Sequence, residues 1–261
     1  MKRASSLSRR QTLLRRVAGA GALGLAACDR VSRSVSGMSV IDSAENVTRT
    51  IQRALMAPRE ALAPEYGQAD ISPGFKPNGS VDPDDPAYLA ARDEKFVNWK
   101  LQVSGLVERP LQLSLEELRQ MPSRTQITRH DCVEGWSCIG KWKGALLKNI
   151  LDAAGLKPST RYIALHCADQ LEQTLDGSGQ YYETIDLVDA YHPQTILAYE
   201  LNDEDLPVSH GAPLRLRVER QLGYKMAKYV MGIEAIDSFE KMGRGKGGFW
   251  EDRGYEWYAG I

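Results

Sequence analysis

The sequence predicts an α+β fold with mixed or antiparallel sheets and short helices. Short β-patterned runs alternate with short capped helices, no βαβ period dominates, and no internal repeat is evident. The 261 residues, 43% hydrophobic and 26% charged, suffice for one large domain or two small ones.

The first 27 residues carry six basic side chains and no acidic one, which leaves 27 basic against 34 acidic residues and a charge of −7 for the remainder. Such a body is a poor partner for nucleic acid, whose binding rests on neutralising phosphates. Ser8-Arg-Arg-Gln-Thr-Leu-Leu14 resembles a twin-arginine (Tat) export motif, with Thr12 where that pattern favours Phe. The apolar run 17–27 is shorter than the roughly 20 residues that span a bilayer core, and its glycines weaken any helix. Residues 1–27 are therefore expected to be a Tat-type signal peptide for delivery to the periplasm. Leu25-Ala-Ala-Cys28 resembles a lipobox, which implies acylation of Cys28 and, with Asp29 beside it, retention at the inner membrane. Each buried methylene adds roughly 0.8 kcal/mol, so several acyl chains anchor firmly. The competing reading is cleavage nearby and a soluble periplasmic protein.

Residues 28–62 read as a Ser- and Arg-rich tether and a short helix, the latter over 47–56 with apolar positions 47, 51, 54 and 55 and a stop at Pro58. The domain proper is placed at 63–261. Its first stretch, 63–86, holds five Pro and three Gly without periodicity, a long irregular segment of the functional or wrapping kind. Residues 99–105 alternate with period two, as a half-buried strand does. Ser114-Leu-Glu-Glu117 is a capping box that opens a helix ended by Pro122. Residues 125–128 are β-like and lead to Cys132. An amphipathic helix is expected over 144–154, with Leu146, Leu147, Ile150 and Leu151 on one face and Gly155 past its end. Further strands are expected at 161–167, 195–199, 214–218 and 229–236.

With Cys28 assigned to lipid, Cys132, Cys138 and Cys167 remain, and no CxxC or CxxH spacing indicates a disulfide framework or a zinc site. One disulfide between Cys138 and Cys167 is compatible with an oxidising compartment. His130, His166, His192 and His210 lack metal-binding spacing. The glycine-rich Gly243-Arg-Gly-Lys-Gly-Gly248 opens no helix and reads as a loop near a site mouth. Tyr181, Tyr182, Trp250 and Trp257 read as core or rim aromatics. Cys132 differs from these. It follows a β-like run within Thr128-Arg-His-Asp-Cys-Val-Glu-Gly-Trp-Ser137, with Trp142 and Gly144 beyond, a setting that suits a metal ligand.

Four pieces in order carry a resemblance over about 99–257: Cys132-Val-Glu-Gly-Trp-Ser137 with Trp142 and Gly144; His210-Gly-Ala-Pro-Leu-Arg215; Gly223-Tyr-Lys225 with Lys228; and the closing Gly248-Phe-Trp-Glu-Asp-Arg-Gly254-Tyr. Together they resemble the sulfite oxidase family of molybdopterin oxidoreductases, in its exported bacterial branch. The resemblance implies one molybdenum per chain, held by the Cys132 thiolate and by two sulfurs of the pterin dithiolene. It further implies that His210, Arg215 and Lys228 contact the cofactor and that Met226 and Ala227 offer main-chain groups. Cys167 falls where the family touches the pterin, and Asn78 is the amide supplied by the irregular segment. Arg215 suits a bidentate phosphate clamp, although alternation with Leu214 and Leu216 alone would make it an exposed strand charge. Trp136, Arg129 and His130 would tune the metal or face substrate.

No CxxCH haem motif is present, so the resemblance implies a separate electron partner, a membrane haem or quinol-linked cytochrome. Sulfite oxidases place arginines just after the metal cysteine. Cys132-Val-Glu-Gly-Trp-Ser137 instead resembles the periplasmic methionine sulfoxide reductases, with Gly135 replacing an Ala and a divergent tail from Gly243. The expected activity is two-electron oxygen-atom transfer on a sulfoxide or other small S- or N-oxide. A sulfite dehydrogenase and a membrane-tethered cofactor scaffold without turnover are the alternatives.

Overall fold

The structure, a computed structural model, describes residues 61–175 and 177–261 together with Val47, Thr50 and Ile51. Two compact units are present, Met1–Leu55 and Met56–Ile261. In the first, the three described residues are helical, within the helix expected over 47–56. The expected signal peptide, Cys28 and the rest of the tether up to residue 60 lie outside the described residues.

In the second unit the elements follow the order α1 (Pro86–Asp93), β1 (Lys100–Gly105), β2 (Leu111–Ser114), α2 (Leu115–Gln120), β3 (Ser123–Cys132), β4 (Trp136–Leu146), α3 (Leu147–Ala154), β5 (Tyr162–Gln170), β6 (Gln180–Asp186), α4 (Leu187–Ala190), β7 (Ile196–Leu201), β8 (Glu204–Asp205), β9 (Arg215–Arg217) and β10 (Val230–Ile236). One sheet has the order β2-β1-β10-β5-β6, with β1 parallel to β10 and its other pairs antiparallel. The other runs β3-β4-β7-β8, with β9 also paired to β7, and is antiparallel throughout. The expected α+β class with mixed sheets is the observed one.

Local sequence explains the elements. In β1 the period-two pattern buries Leu101 and Val103. At α2 the capping box forms: the Ser114 hydroxyl accepts from Glu117 N–H at 3.2 Å, and the Glu117 carboxylate accepts from Ser114 N–H at 2.7 Å. The helix expected from 144 begins only at Leu147, because Gly144 to Leu146 belong to β4. A Cβ on Gly144 would lie 2.2 Å from the Leu197 carbonyl oxygen, so that glycine serves a close approach of β4 to β7. Within α3, Leu147, Ile150 and Leu151 are fully buried in the main core. The irregular reading of 63–86 ends at α1, which Asp85 caps by accepting from Tyr88 N–H at 2.8 Å and which Pro86 opens.

Two flanking segments pack on this frame. An N-terminal strap follows the β3–β4 sheet, with Tyr66 N–H donating to Ile127 O at 2.9 Å and Ser72 N–H to Ile139 O at 3.0 Å. The C-terminal tail lies on β6, where Phe249 N–H donates to Tyr182 O at 3.1 Å and the Trp257 indole to the Thr184 hydroxyl at 2.8 Å. Cys132, Cys138 and Cys167 are free thiols, with Cys138 in β4 and Cys167 in the other sheet on β5, so the Cys138–Cys167 disulfide does not form. Among the described residues no helix is long and apolar enough to cross a membrane.

Candidate functional site

β3 delivers Cys132 to the hairpin that joins it to β4, and Gly135 closes that hairpin with φ of 86°. Alternation along β3 buries Thr128 and His130 on the face that Cys132 shares. Arg129 lies on the opposite face, exposed and paired with Asp131 at 2.9 Å, so the structure does not bring it to this site. Trp136 stands opposite Cys132 in register, packs on the His130 ring at 5.6 Å, and donates its indole N–H to Glu134 at 3.0 Å.

Around Cys132 opens a pocket of about 130 Å³. Six stretches of chain line it. The hairpin gives Cys132, Val133 and Glu134, and the strap gives Asn78 and Gly79. Asp169 and Leu171 come from the end of β5 and Tyr181 from β6. The 223–228 segment adds Tyr224, Met226 and Lys228, and the tail adds Trp250 and Tyr255. Burial pushes the Cys132 thiol up, partly countered by a hydrogen bond from the Glu134 backbone. A coordinated metal reverses that balance, since it deprotonates a bound thiol.

Behind the pocket Arg215 is completely buried. Its guanidinium donates to the Asn78 side-chain carbonyl at 2.9 Å and to His210 O at 3.3 Å, while its Nε has no partner. Burial and the neighbouring Arg217 charge pull its pKa down to about 9. Lys228, also buried, donates to the carbonyls of Ser80 and Ser209 and to the Tyr229 hydroxyl. Burial and Arg215 pull it down to about 7. The His210 ring bonds Phe75 O at 2.9 Å through Nε2 and the Ser209 hydroxyl at 2.9 Å through Nδ1. Asp169 accepts from the Ser80 hydroxyl at 2.7 Å through one carboxylate oxygen, leaves the other without a partner, and is pushed up to about 6 by burial.

The other buried cations are neutralised within the protein. Arg217 meets Glu219 at 2.6 Å, and Lys225 meets Glu183 at 2.5 Å and Glu251 at 2.6 Å. Among the described residues, Arg215 and Lys228 form no ion pair and bond only carbonyl, amide or hydroxyl oxygens. Desolvated charges of this kind call for an anion from outside the chain. A planar fork and a point charge together suit a phosphate. Among the described residues no cluster of three or more His, Cys, Asp or Glu could hold a metal ion. A metal at Cys132 would therefore need further ligands from its own cofactor. The donor set fits a pterin cofactor that brings both sulfurs and a phosphate.

The pocket thus gathers Asn78, Cys132, Met226 and Lys228, with Arg215 and His210 behind it. Ala227 is buried, its carbonyl engaged by Leu216 N–H at 2.8 Å. Cys167 is buried in β5, and its carbonyl accepts from Gln180 at 2.6 Å. Sequence reasoning passed over Asp169, Tyr224 and Tyr255. Tyr224 sits inside the Gly223-Tyr-Lys225 motif and Tyr255 closes the Gly248-Phe-Trp-Glu-Asp-Arg-Gly254-Tyr piece, which were the available signals, whereas a single Asp near a strand end gives none.

Residues 88–242 match the family model described as the oxidoreductase molybdopterin binding domain. Over 254 residues the chain is 33% identical to the putative protein-methionine-sulfoxide reductase subunit YedZ1 of Azospira oryzae, covering 97% of this chain and 88% of that relative. It is 32% identical over 157 residues to the protein-methionine-sulfoxide reductase catalytic subunit MsrP of Campylobacter jejuni, covering 57% of this chain and 52% of the relative. The same subunit of Gluconobacter oxydans is 35% identical over 147 residues, with coverages of 53% and 47%. The chain therefore spans about half the length of these two MsrP relatives. Among solved structures, the sulfane dehydrogenase SoxCD from Paracoccus pantotrophus matches with a TM-score of 0.48 and 23% identity over 54% of this chain and 39% of that one. Because the domain match takes in more than half of the sequence and the Azospira relative aligns along nearly all of it, the chain belongs to the molybdopterin-binding oxidoreductase family.

Proposed function

We propose that the chain reduces a sulfoxide, with Cys132 as the protein ligand to one molybdenum and with Arg215 and Lys228 clamping the pterin phosphate. The observation that carries this reading is the meeting of a pocket thiol with two buried cations that form no ion pair among the described residues. The relatives named as protein-methionine-sulfoxide reductase subunits supply the substrate class. Reduction consumes two electrons and two protons per sulfoxide and yields a thioether and water. When bound, the cofactor supplies the two-electron oxygen-atom transfer.

The chain's own residues bind, orient and handle protons. Asn78 fixes one side of the Arg215 fork and the His210 carbonyl the other. Met226 and Ala227 border the cofactor with main-chain groups, and Cys167 backs the pterin from β5. Trp136 and His130 pack behind Cys132, while Arg129 faces away and takes no part. Glu134 and Asp169 place two carboxylates in the lining against the single amine of Lys228. That balance favours a neutral sulfoxide over an anion such as sulfite. Asp169, pushed up to about 6 by burial, is able to hold a proton within the pocket lining.

Electrons reach the site from a separate partner, a membrane haem or quinol-linked cytochrome. Export by the Tat route and an acylated Cys28 hold the protein at the periplasmic side of the inner membrane. Unaided turnover of the purified protein with quinol would remove the need for that partner. Metal analysis of the protein beside Cys132→Ser tests the core of the proposal. About one molybdenum per chain is expected in the wild type and close to none in the variant, and a wild type without molybdenum under molybdate-replete expression overturns the reading. Sulfoxides with reduced viologen, against sulfite with ferricyanide, then fix the direction.

A further inference from the structure

We infer that the segment following residue 242, which lies beyond the matched domain, is the specificity wall of this pocket. Its Trp250 and Tyr255 form an aromatic face that selects sulfoxides bearing a flat or apolar substituent over small ones. This inference rests on the sulfoxide-reductase reading and names the substrate class within it.

The domain match ends at 242, yet Trp250 and Tyr255 line the same pocket as Cys132. Their rings lie 5.3 Å apart at 30°, and they extend an aromatic cluster inside the pocket. Tyr224, from the domain itself, meets Tyr255 edge-on at 5.2 Å, and Phe249 meets Trp250 edge-on at 5.3 Å. Core packing alone would bury such rings. Tyr255 instead stays 40% exposed and Trp250 is half-buried, so aromatic surface remains open to a ligand.

The wall is also held rigidly. Glu251, next to Trp250 in the chain, shares the buried ammonium of Lys225 with Glu183, at 2.6 and 2.5 Å. Burial and the Glu251 charge push the Glu183 carboxyl well above the usual range. Tyr255 N–H donates to Trp250 O at 3.1 Å, and the Tyr224 hydroxyl donates to Glu256 O at 2.6 Å. A pre-ordered aromatic face spends little entropy on binding. It attracts sulfur and stacks with aryl groups.

The test uses the molybdenum-loaded full chain, with methyl phenyl sulfoxide and dimethyl sulfoxide as probes and reduced viologen as donor. In Trp250→Ala and in Tyr255→Ala the kcat/KM preference for the aryl sulfoxide is expected to fall about five- to tenfold, the worth of one aromatic contact. The change should lie mainly in KM, with molybdenum content retained. Tyr255→Ala, at the exposed rim, decides alone if Trp250→Ala does not fold. An unchanged preference overturns the wall, and so does loss of molybdenum, which would make the tail a cofactor clamp. Calorimetric binding of both probes separates this inference from the reading beneath it. A wild type that binds the aryl probe preferentially but reduces neither sinks the reductase reading, while collapse of that preference in the variants upholds the wall. A wild type without preference in binding or turnover sinks the wall.

Discussion

Lys228 and Asp169 titrate in opposite senses and leave a signature in the cofactor-free protein. Lys228 is drawn from 10.5 down to about 7, so between those values the unfolded chain holds a proton that the folded chain has shed, and stability rises with pH. Asp169 is pushed from 3.8 up to about 6, so across that window the folded chain holds the extra proton and stability falls with rising pH. The thermal midpoint of cofactor-free protein should therefore climb between pH 7 and 9, a window inside the Lys228 range, and Lys228→Met should flatten that limb. An equal climb in the variant would exclude Lys228 as its source. At this scale Cys132 was legible because its motif is local. The burial of Arg215 was not, since β9 is enclosed on both faces and buries all three of its residues, whereas alternation predicts an exposed charge.

Strands whose neighbours impose a one-sided environment, such as β1, announced themselves by period two. β4 did not, because glycines 140 and 144 and lysines 141 and 143 interrupt its apolar pattern. The reason becomes visible only in the sheet. A Cβ at Gly140 would meet the Phe75 ring of the strap at 2.9 Å, and one at Gly144 would strike the β7 backbone. Gly144→Ala should cost about 2–3 kcal/mol or more in chemical denaturation, since backbone yields less readily than a side chain. Ser114→Ala, which removes one hydroxyl of an exposed cap, should cost only about 1 kcal/mol. A cost for Gly144→Ala no larger than that of Ser114→Ala would contradict the close-approach account of β4.

Across the whole molecule, the site depends on chain that flanks the matched domain on both sides. Gln194 grips the strap with three hydrogen bonds, two to Ala63 at 2.7 and 3.1 Å and one to Glu65 at 2.9 Å, and that strap carries Asn78 to Arg215. Gln194→Ala should destabilise by about 1–2 kcal/mol and speed proteolysis within 61–80, read by timed digestion. Unchanged digestion would mean that the strap is held elsewhere. Long-range dependence of this kind is invisible to sequence patterns, because partners more than 100 positions apart share no local signal. It also gives the pocket a history. Translation releases the strap first, the two sheets next and the aromatic tail after them, so the basin around Cys132 has a floor before it has its last wall.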